Sequence, residues 1–557
     1  GNYVWKVLRT PGFRAEYVTS LGINPGWARY DRWVGNHGGA ASVAIDPSGM
    51  YVAAQVTETA PVLLKQSFDG TSRHWTRTRG DVTRGRYQGG ASLASDGRGK
   101  LFMLQQNGYL QVIDAREGTL LATWDVLPKD LKRKEDGGPT WFIYQHGDRV
   151  AGADMDARAG TIVVSYRDHH RVRWLDPKDG ATVAEIDVPE PTGVAVGAKG
   201  NVFVISGNRV LRVFPDGRQL PVIKNGLIAP RRLAIDPKTG EFLVAERSPG
   251  SQIKRLSPDG ELLATYGRPG GRLQGAYRGE DFRGITDIAP DGQGGFVIAE
   301  LEPAPRRIVH CNRAGQVLSE WFGGQPYYAW GEPDPRNPCR VWFNSGHWLV
   351  LTEIDYASGD WRVLETWHLD QMADGLVESR PGHHGRWWVV YHEDQRYLVS
   401  QGAPQVLAHK SGSLRPVSVI GSRNVKRAVE LARKGTDASS FRWLDRNGDG
   451  RPQPAEFTFS ESSEIPNANW VAPDFAVLQA GSGDREEQTE FVVLETRPNW
   501  ENGLPVYPIG DEPGVKQRVV GTIVEARIGT RGSGAYRDLA GNYYGNFNDG
   551  CERHGAG

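Results

Sequence analysis

Along the first two thirds of this 557-residue chain, short apolar runs alternate with polar turns at a near-regular interval. The recurring unit reads apolar–Ala–apolar–Asp, then a glycine turn, then a second apolar run. Val43-Ala44-Ile45-Asp46 passes through Gly49 into Tyr51-Val52, and Leu93-Ala94-Ser95-Asp96 through Gly99 into Leu101-Phe102. Variants follow at Ala153-Asp154-Met155-Asp156, Val194-Ala195-Val196, Leu233-Ala234-Ile235-Asp236 and Ile285-Thr286-Asp287-Ile288. Apolar runs this short, bounded by Asp and Gly, predict β-strands joined by tight turns.

A second half-unit follows most copies, a strand, a Gly turn and a strand ending in an aromatic or aliphatic residue. Leu110–Ile113 leads to Trp124, Val172–Leu175 to Ile186, Ile253–Leu256 to Tyr266 and Ile308–Cys311 to Trp321. Four short strands at a period of about 40 residues are the pattern of a propeller blade. One such sheet cannot bury both faces alone, so blades must stack around an axis. The phrase resembles that of the NHL-repeat and SMP-30/gluconolactonase-like propellers over residues 40–322. The expected fold is therefore all-β, a single β-propeller of about eight four-stranded blades, with seven to nine accommodated.

Beyond residue 322 strands continue without the phrase, at Arg340–Phe343, Trp348–Ile354, Trp361–Trp367, Arg386–His392, Arg396–Ser400 and Phe491–Glu495. The expected organisation is blades over 1–421, a small insertion over 422–469, and the remaining blades with ring closure over 470–557. The insertion carries an amphipathic helix on Val425, Ala428, Val429 and Ala432. Asp538–Tyr543 reads as the opening of another blade, expected to pair with Tyr3–Leu8.

The insertion also holds the most specific chemical signal. Asp445, Asn447 and Asp449 fall at loop positions 1, 3 and 5, Gly450 at 6, and Glu456 at 12. With the Arg451 carbonyl and Gln453, this spacing suits Ca2+, which takes six to eight oxygens at roughly 2.3–2.6 Å. The loop resembles that of an EF-hand but departs from it. A short entering helix capped by Asp437 and running through Phe441 and Leu444 is expected, yet Phe457 to Ser460 alternates like a strand. Pro452 takes position 8, and the sequence has no second such loop. An unpaired loop implies a structural clamp rather than a cooperative sensor.

Composition narrows the function classes. Lys+Arg and Asp+Glu are both 66, so no net field draws in nucleic acid or an anionic membrane. No apolar run approaches bilayer-spanning length. With 70 Gly and 34 Pro the chain suits many tight turns. Cys311, Cys339 and Cys551 allow one bridge, most easily Cys311–Cys339, with one thiol over. The chain starts at Gly1, as a processed secreted protein would, and a weak calcium loop fills outside the cytosol; an extracellular or periplasmic monomer is expected.

In a propeller of this kind, residues just before the phrase face the axial cavity. They are His37, Gln88, Thr192, Arg231 and Arg283. The connection after the second strand opens on the same face, with Gln105, Tyr166 to His170, Glu246-Arg247, Glu300 and Glu353. In the SMP-30-like relatives acidic residues on this ring hold a catalytic metal, but their full set is not matched here. Flat aromatics beside Arg forks suit sugar rings bearing carboxylate or sulfate.

The expected function is a secreted carbohydrate-active enzyme on an acidic polysaccharide. In a lyase Arg231 and Arg283 would neutralise a uronate carboxylate, and His37 or His169 would remove the adjacent carbon-bound proton. Gln88, Tyr166, Glu246, Glu300, Trp348 and His384 would contact substrate, and a hydrolase would use Glu246 and Glu300 as its two carboxylates. The alternative is a non-catalytic glycan- or protein-binding propeller, and a weaker one a lactonase or quinone-dependent dehydrogenase. Gly-x-Ser-x-Gly, Walker, His-Glu-x-x-His and Cys-x-x-Cys motifs are absent from the sequence.

Overall fold

The computed structural model describes residues 2–8, 14–21, 39–55, 62–68, 73–75, 91–105, 108–130, 154–301, 306–322, 331–345, 347–378, 386–480, 490–522, 531–537, 541 and 543–548. The chain divides into two compact units, Gly1–Leu273 with Tyr277–Tyr327, and Gln274–Ala276 with Tyr328–Gly557.

In the first unit the repeated phrase becomes the first strand of a four-stranded antiparallel meander, six times over. These first strands are Gly39–Asp46, Ala91–Ser95, Asp154–Arg158, Pro191–Val196, Pro230–Ile235 and Ile285–Pro290. The phrase's Asp closes the hairpin into the second strand. Asp46 accepts from the Ser48 amide at 2.6 Å, Asp96 from Arg98 at 2.7 Å and Asp236 from Lys238 at 2.8 Å. Gly99 and Gly240 follow at φ +102° and +73°, a region that favours glycine.

Strand alternation then sends successive side chains to opposite neighbours. Met50 and Val52 pack with Val297 and Trp321 of the sixth blade, while Tyr51 and Ala53 pack with Leu101 and Met103 of the second. Four further cores join blades two to three, three to four, four to five and five to six. Each interface holds nine or more buried apolar side chains, so burial between blades, at about 1.5–3 kcal/mol per large side chain, makes the ring. The expected β-propeller fold is observed. Among the described residues the first unit holds six four-stranded sheets of this kind, and the strands from Arg340 onward that entered the expected number of about eight belong to the second unit.

The second unit is also antiparallel but irregular. It has a five-stranded sheet from Gly275–Ala276 and Gly331–His368, a six-stranded one from Trp387–Ser460, and a four-stranded one from Trp470–Thr522. Trp387 and Trp388 are neighbours on one strand and enter different cores, the first with Trp342 and Trp443, the second with Tyr397 and Phe475. The helix forms at Val425–Ala432 with Ala428 and Ala432 buried. The calcium-type loop is flanked by strands on both sides, Ser440–Leu444 and Phe457–Ser460, which pair with each other and extend the six-stranded sheet. The entering helix expected through Phe441 and Leu444 is thus a strand, because Phe441, Trp443 and Leu444 are needed in the sheet's cores.

Asn2–Leu8 pairs with Arg14–Leu21, and Arg531–Arg537 with Tyr543–Asn548, while most of the Asp538–Tyr543 stretch lies outside the described residues. Cys311 and Cys339 are both free thiols, Cys311 buried in its blade and Cys339 exposed. Cys551 lies outside the described residues. Among the described residues no helix is long and apolar enough to cross a membrane.

Candidate functional site

In the first unit the first strand begins and the second strand ends on one face. Pro230 pairs with Glu246, Ile285 with Glu300, and Asp154 with Ser165. Behind that face, residues of all six first strands line an axial channel of about 60 Å3. A buried polar girdle ties these strands together. The Ser42 hydroxyl donates to Asp287 and accepts from the Leu93 amide at 2.9 Å; Ser92 Oγ donates to Asp154 at 2.7 Å. Arg232 pairs with Asp154, and its Nε donates to the Thr286 carbonyl at 2.6 Å. Burial pushes Asp287 up to about 6, with Arg232 opposing. These groups bond one another, so the girdle is structural.

On the face itself, three arginines gather from two blades. Arg231 opens its first strand, Arg247 directly follows the second strand of the same blade, and Arg167 starts the one-turn helix Arg167–His169. Burial pushes Arg231 down to about 9, and the charges of Arg232, Arg247 and Arg167 push the same way. Arg247, although exposed, is pushed down by partial desolvation and by the charges of Arg232 and Arg167. Arg167 has Asp168 at 2.7 Å, and Arg232 has its girdle carboxylates. Among the described residues neither Arg231 nor Arg247 is ion-paired, although the charge of Asp154 favours the Arg231 cation; Arg231 Nε is buried without an acceptor there, and Thr192 Oγ1, on the blade between, without a partner. Unpaired guanidiniums crowded together are held against their charge and call for an anion. Arg167 and Arg247 lie in connections the sequence marks as facing this side, but only the fold shows which cations lack counter-charge.

The other expected site residues divide sharply. Arg283 is on the face, donating its amide to Glu300 at 2.7 Å and its guanidinium to the Arg272 carbonyl at 3.2 Å. His169 sits in the helix begun by Arg167. Tyr166, Glu246, Glu300 and Trp348, expected to touch substrate, are instead fully buried. Tyr166 donates to the Val126 carbonyl at 2.5 Å, and burial pushes its pKa up. Glu246 accepts from the Ile228 amide at 2.7 Å and has Lys254 at 3.1 Å. Glu300 is clamped by Arg272 at 2.7 Å and Arg307 at 2.6 Å. Burial acts to raise its pKa, but the two guanidiniums outweigh it and hold it below the usual range. Trp348 packs against the His368 ring at 4.7 Å. Strand-end position alone does not tell an exposed carboxylate from one turned into the blade. His37, Gln88 and His384 lie outside the described residues.

The calcium-type loop has the turn geometry its spacing implies. Asp445 accepts from the Gly448 amide at 3.1 Å, Asn447 from Asp449 at 3.1 Å and Asp449 from Arg451 at 2.7 Å. Glu456 reaches back to the Arg446 amide at 2.9 Å, and Gly450 takes φ +73° at the sharp turn. The Arg415 guanidinium lies across the loop and pairs with Asp445. Among the described residues no three His, Cys, Asp or Glu side chains gather as a metal cluster, so an ion here would also draw on Asn447, Gln453 and the Arg451 carbonyl. The oxygen types and the turn are those a Ca2+ loop requires, and the Asp445 carboxylate here faces Arg415.

No protein-family model matches the sequence, and comparison with curated proteins gives no match. Among solved structures, a protein of unknown function from Bacteroides caccae is 16% identical, with 47% of this chain and 89% of that chain covered and a TM-score of 0.32. The WD40 β-propeller domain of Doa1 is 13% identical, with 60% and 94% covered and a TM-score of 0.34. Myxococcus xanthus glutaminyl cyclase is 14% identical, with 39% and 88% covered and a TM-score of 0.24. None is close enough to carry an argument about what this chain does.

Proposed function

We propose that this protein is a glycan-binding β-propeller whose first unit takes a carboxylate- or sulfate-bearing polysaccharide on the face where Arg167, Arg231 and Arg247 meet. The observation behind this is Arg231, half-buried among like charges with its Nε lacking an acceptor. An anionic ligand supplies that acceptor and relieves the repulsion, and planar guanidinium forks match carboxylate and sulfate geometry better than ammonium groups do. Binding is favoured over hydrolysis because both candidate carboxylates, Glu246 and Glu300, are fully buried.

A second reading, β-elimination, draws on His169 sharing a one-turn helix with Arg167. In that reading the arginines neutralise a uronate carboxylate, His169 removes the neighbouring carbon-bound proton, a C=C bond forms as the β C–O glycosidic bond breaks, and the leaving oxygen takes a proton from water. Calcium, held by Asp445, Asn447, Asp449, the Arg451 carbonyl, Gln453 and Glu456, would supply a structural cross-link between the two strands it joins. The Val-Ala-Ile-Asp phrase supports a place among NHL-repeat or SMP-30-like propellers, and the loop supports a calcium-rich compartment outside the cytosol.

The test is titration with polygalacturonate and a sulfated glycosaminoglycan, with neutral dextran as the control. Binding is expected to be salt-sensitive and selective for the acidic chains. Arg231→Ala and Arg247→Ala should each weaken it about tenfold or more, the scale of a charged hydrogen bond. Equal binding of dextran, or wild-type affinity in both variants, refutes the reading. An ultraviolet-absorbing unsaturated product, lost in His169→Ala, selects the lyase.

A further inference from the structure

We infer that the second unit carries its own ligand site, a cavity built to take a neutral polyhydroxylated molecule of about one sugar ring. The cavity measures about 280 Å3 and lies wholly among residues of this unit. Its floor is apolar and buried, formed by Leu369, Leu376, Trp387 and Ile420.

Above that floor the wall is held rigid by amide and hydroxyl bonds. Gln405 accepts from the Glu378 amide at 2.8 Å and donates to the Glu378 carbonyl at 3.3 Å. Ser400 Oγ accepts from the Gln405 amide at 3.0 Å and donates to the Ala403 carbonyl at 3.0 Å. Among the described residues the Gln479 Oε1 in this wall is buried without a donor. Around the mouth stand Ser422, Arg423, Ser463 and Asn467, all exposed.

An acceptor left buried without a donor is costly, and a ligand hydroxyl removes that cost. An apolar floor beneath amides and hydroxyls suits a molecule with C–H surface on one side and hydroxyls on its edge. Charge argues for a neutral ligand. Glu378 and Arg423 are of opposite sign, and Lys516 is paired with Glu464, so the lining keeps no concentrated field. The volume falls just under the usual range for drug-sized ligands, which fits one ring rather than a chain segment. This site differs from the arginine face of the first unit in residues and in the charge it selects.

The experiment is saturation-transfer NMR and calorimetry on the full chain with a panel of neutral hexoses, pentoses and linear polyols. At least one member should bind saturably in the millimolar range. Gln479→Leu removes the acceptor and Asn467→Ala trims the exposed mouth; each is expected to weaken binding about fivefold, the scale of one neutral hydrogen bond. Asn467→Ala leaves the core intact, so its effect reads the site even if Gln479→Leu destabilises the unit. Arg231→Ala should leave this binding unchanged, which separates it from the acidic-glycan reading. No saturable binding across the panel, or wild-type affinity in both variants, overturns the inference.

Discussion

The two units use the same antiparallel strands to different ends. In the first unit six near-copies of one blade face each other through six similar interfaces, so no single blade owns its core. In the second the three larger sheets have five, six and four strands, and two large aromatic clusters replace the repeated interface. Repetition leaves the first unit a narrow channel of about 60 Å3 and puts its unpaired groups on a face. Irregularity leaves the second unit a cavity of about 280 Å3 within it. A regular ring therefore offers its chemistry at the ends of its strands, and an irregular stack offers it between them.

The contrast is broken most directly at Glu300. Glu300→Gln removes the carboxylate shared by the buried guanidiniums of Arg272 and Arg307, leaving Arg307 with Glu320 alone of its two acidic partners. Removing one partner of a buried ion pair costs about 3–5 kcal/mol. Hydrogen exchange should accelerate in the first unit's fifth and sixth blades, while strands of the second unit keep their rates. A loss below about 1 kcal/mol would mean these blades do not depend on a fixed charge cluster.

A smaller effect is expected from calcium, and in the other unit. At a hundredfold excess over its dissociation constant, a bound ion stabilises by about 2.7 kcal/mol. Millimolar calcium should slow exchange in Ser440–Leu444 and Phe457–Ser460, a chelator should reverse this, and Asp445→Ala should abolish it. Identical exchange with and without calcium would remove the ion from the account.

The smallest effect concerns acid stability. A hydrogen bond from Arg313, joined by Arg255, holds Glu241 at about 2 against an ordinary 4.5. The folded value is the lower one, so the carboxylate's contribution is complete above 4.5 and disappears as pH falls through about 2. Glu241→Gln should flatten the decline of denaturant stability across that window. Equal slopes in variant and wild type would show that this pair contributes nothing.

Much of the first unit was legible because its signals are local. Val43-Ala44-Ile45-Asp46 with Gly49 specifies a strand, an Asp-closed turn and a second strand without help from distant residues. Strand direction fixes which end of the phrase points where, and so places Arg231 and Arg283 at one end of their blades. Glu300 and Tyr166 are buried at strand ends, where a side chain can turn outward or into the blade and sequence spacing is the same for both. The calcium-type loop was read correctly as a turn, while its entering helix was not, because sheet pairing overrode a local helix signal at Phe441 and Leu444.

By itself, then, the sequence determined the strand repeat, the turns and the oxygen spacing of the loop. These depend on backbone sterics and neighbours a few residues apart. Only the tertiary structure decided which blade faces meet, that Arg231 and Arg247 are not ion-paired among the described residues while Arg272 and Arg307 share Glu300, and that Gln479 is left beside a cavity. Ring closure depends on how blade faces fit around an axis, and pairing depends on which distant charges burial brings together. Both are sums over contacts that no short stretch of chain contains.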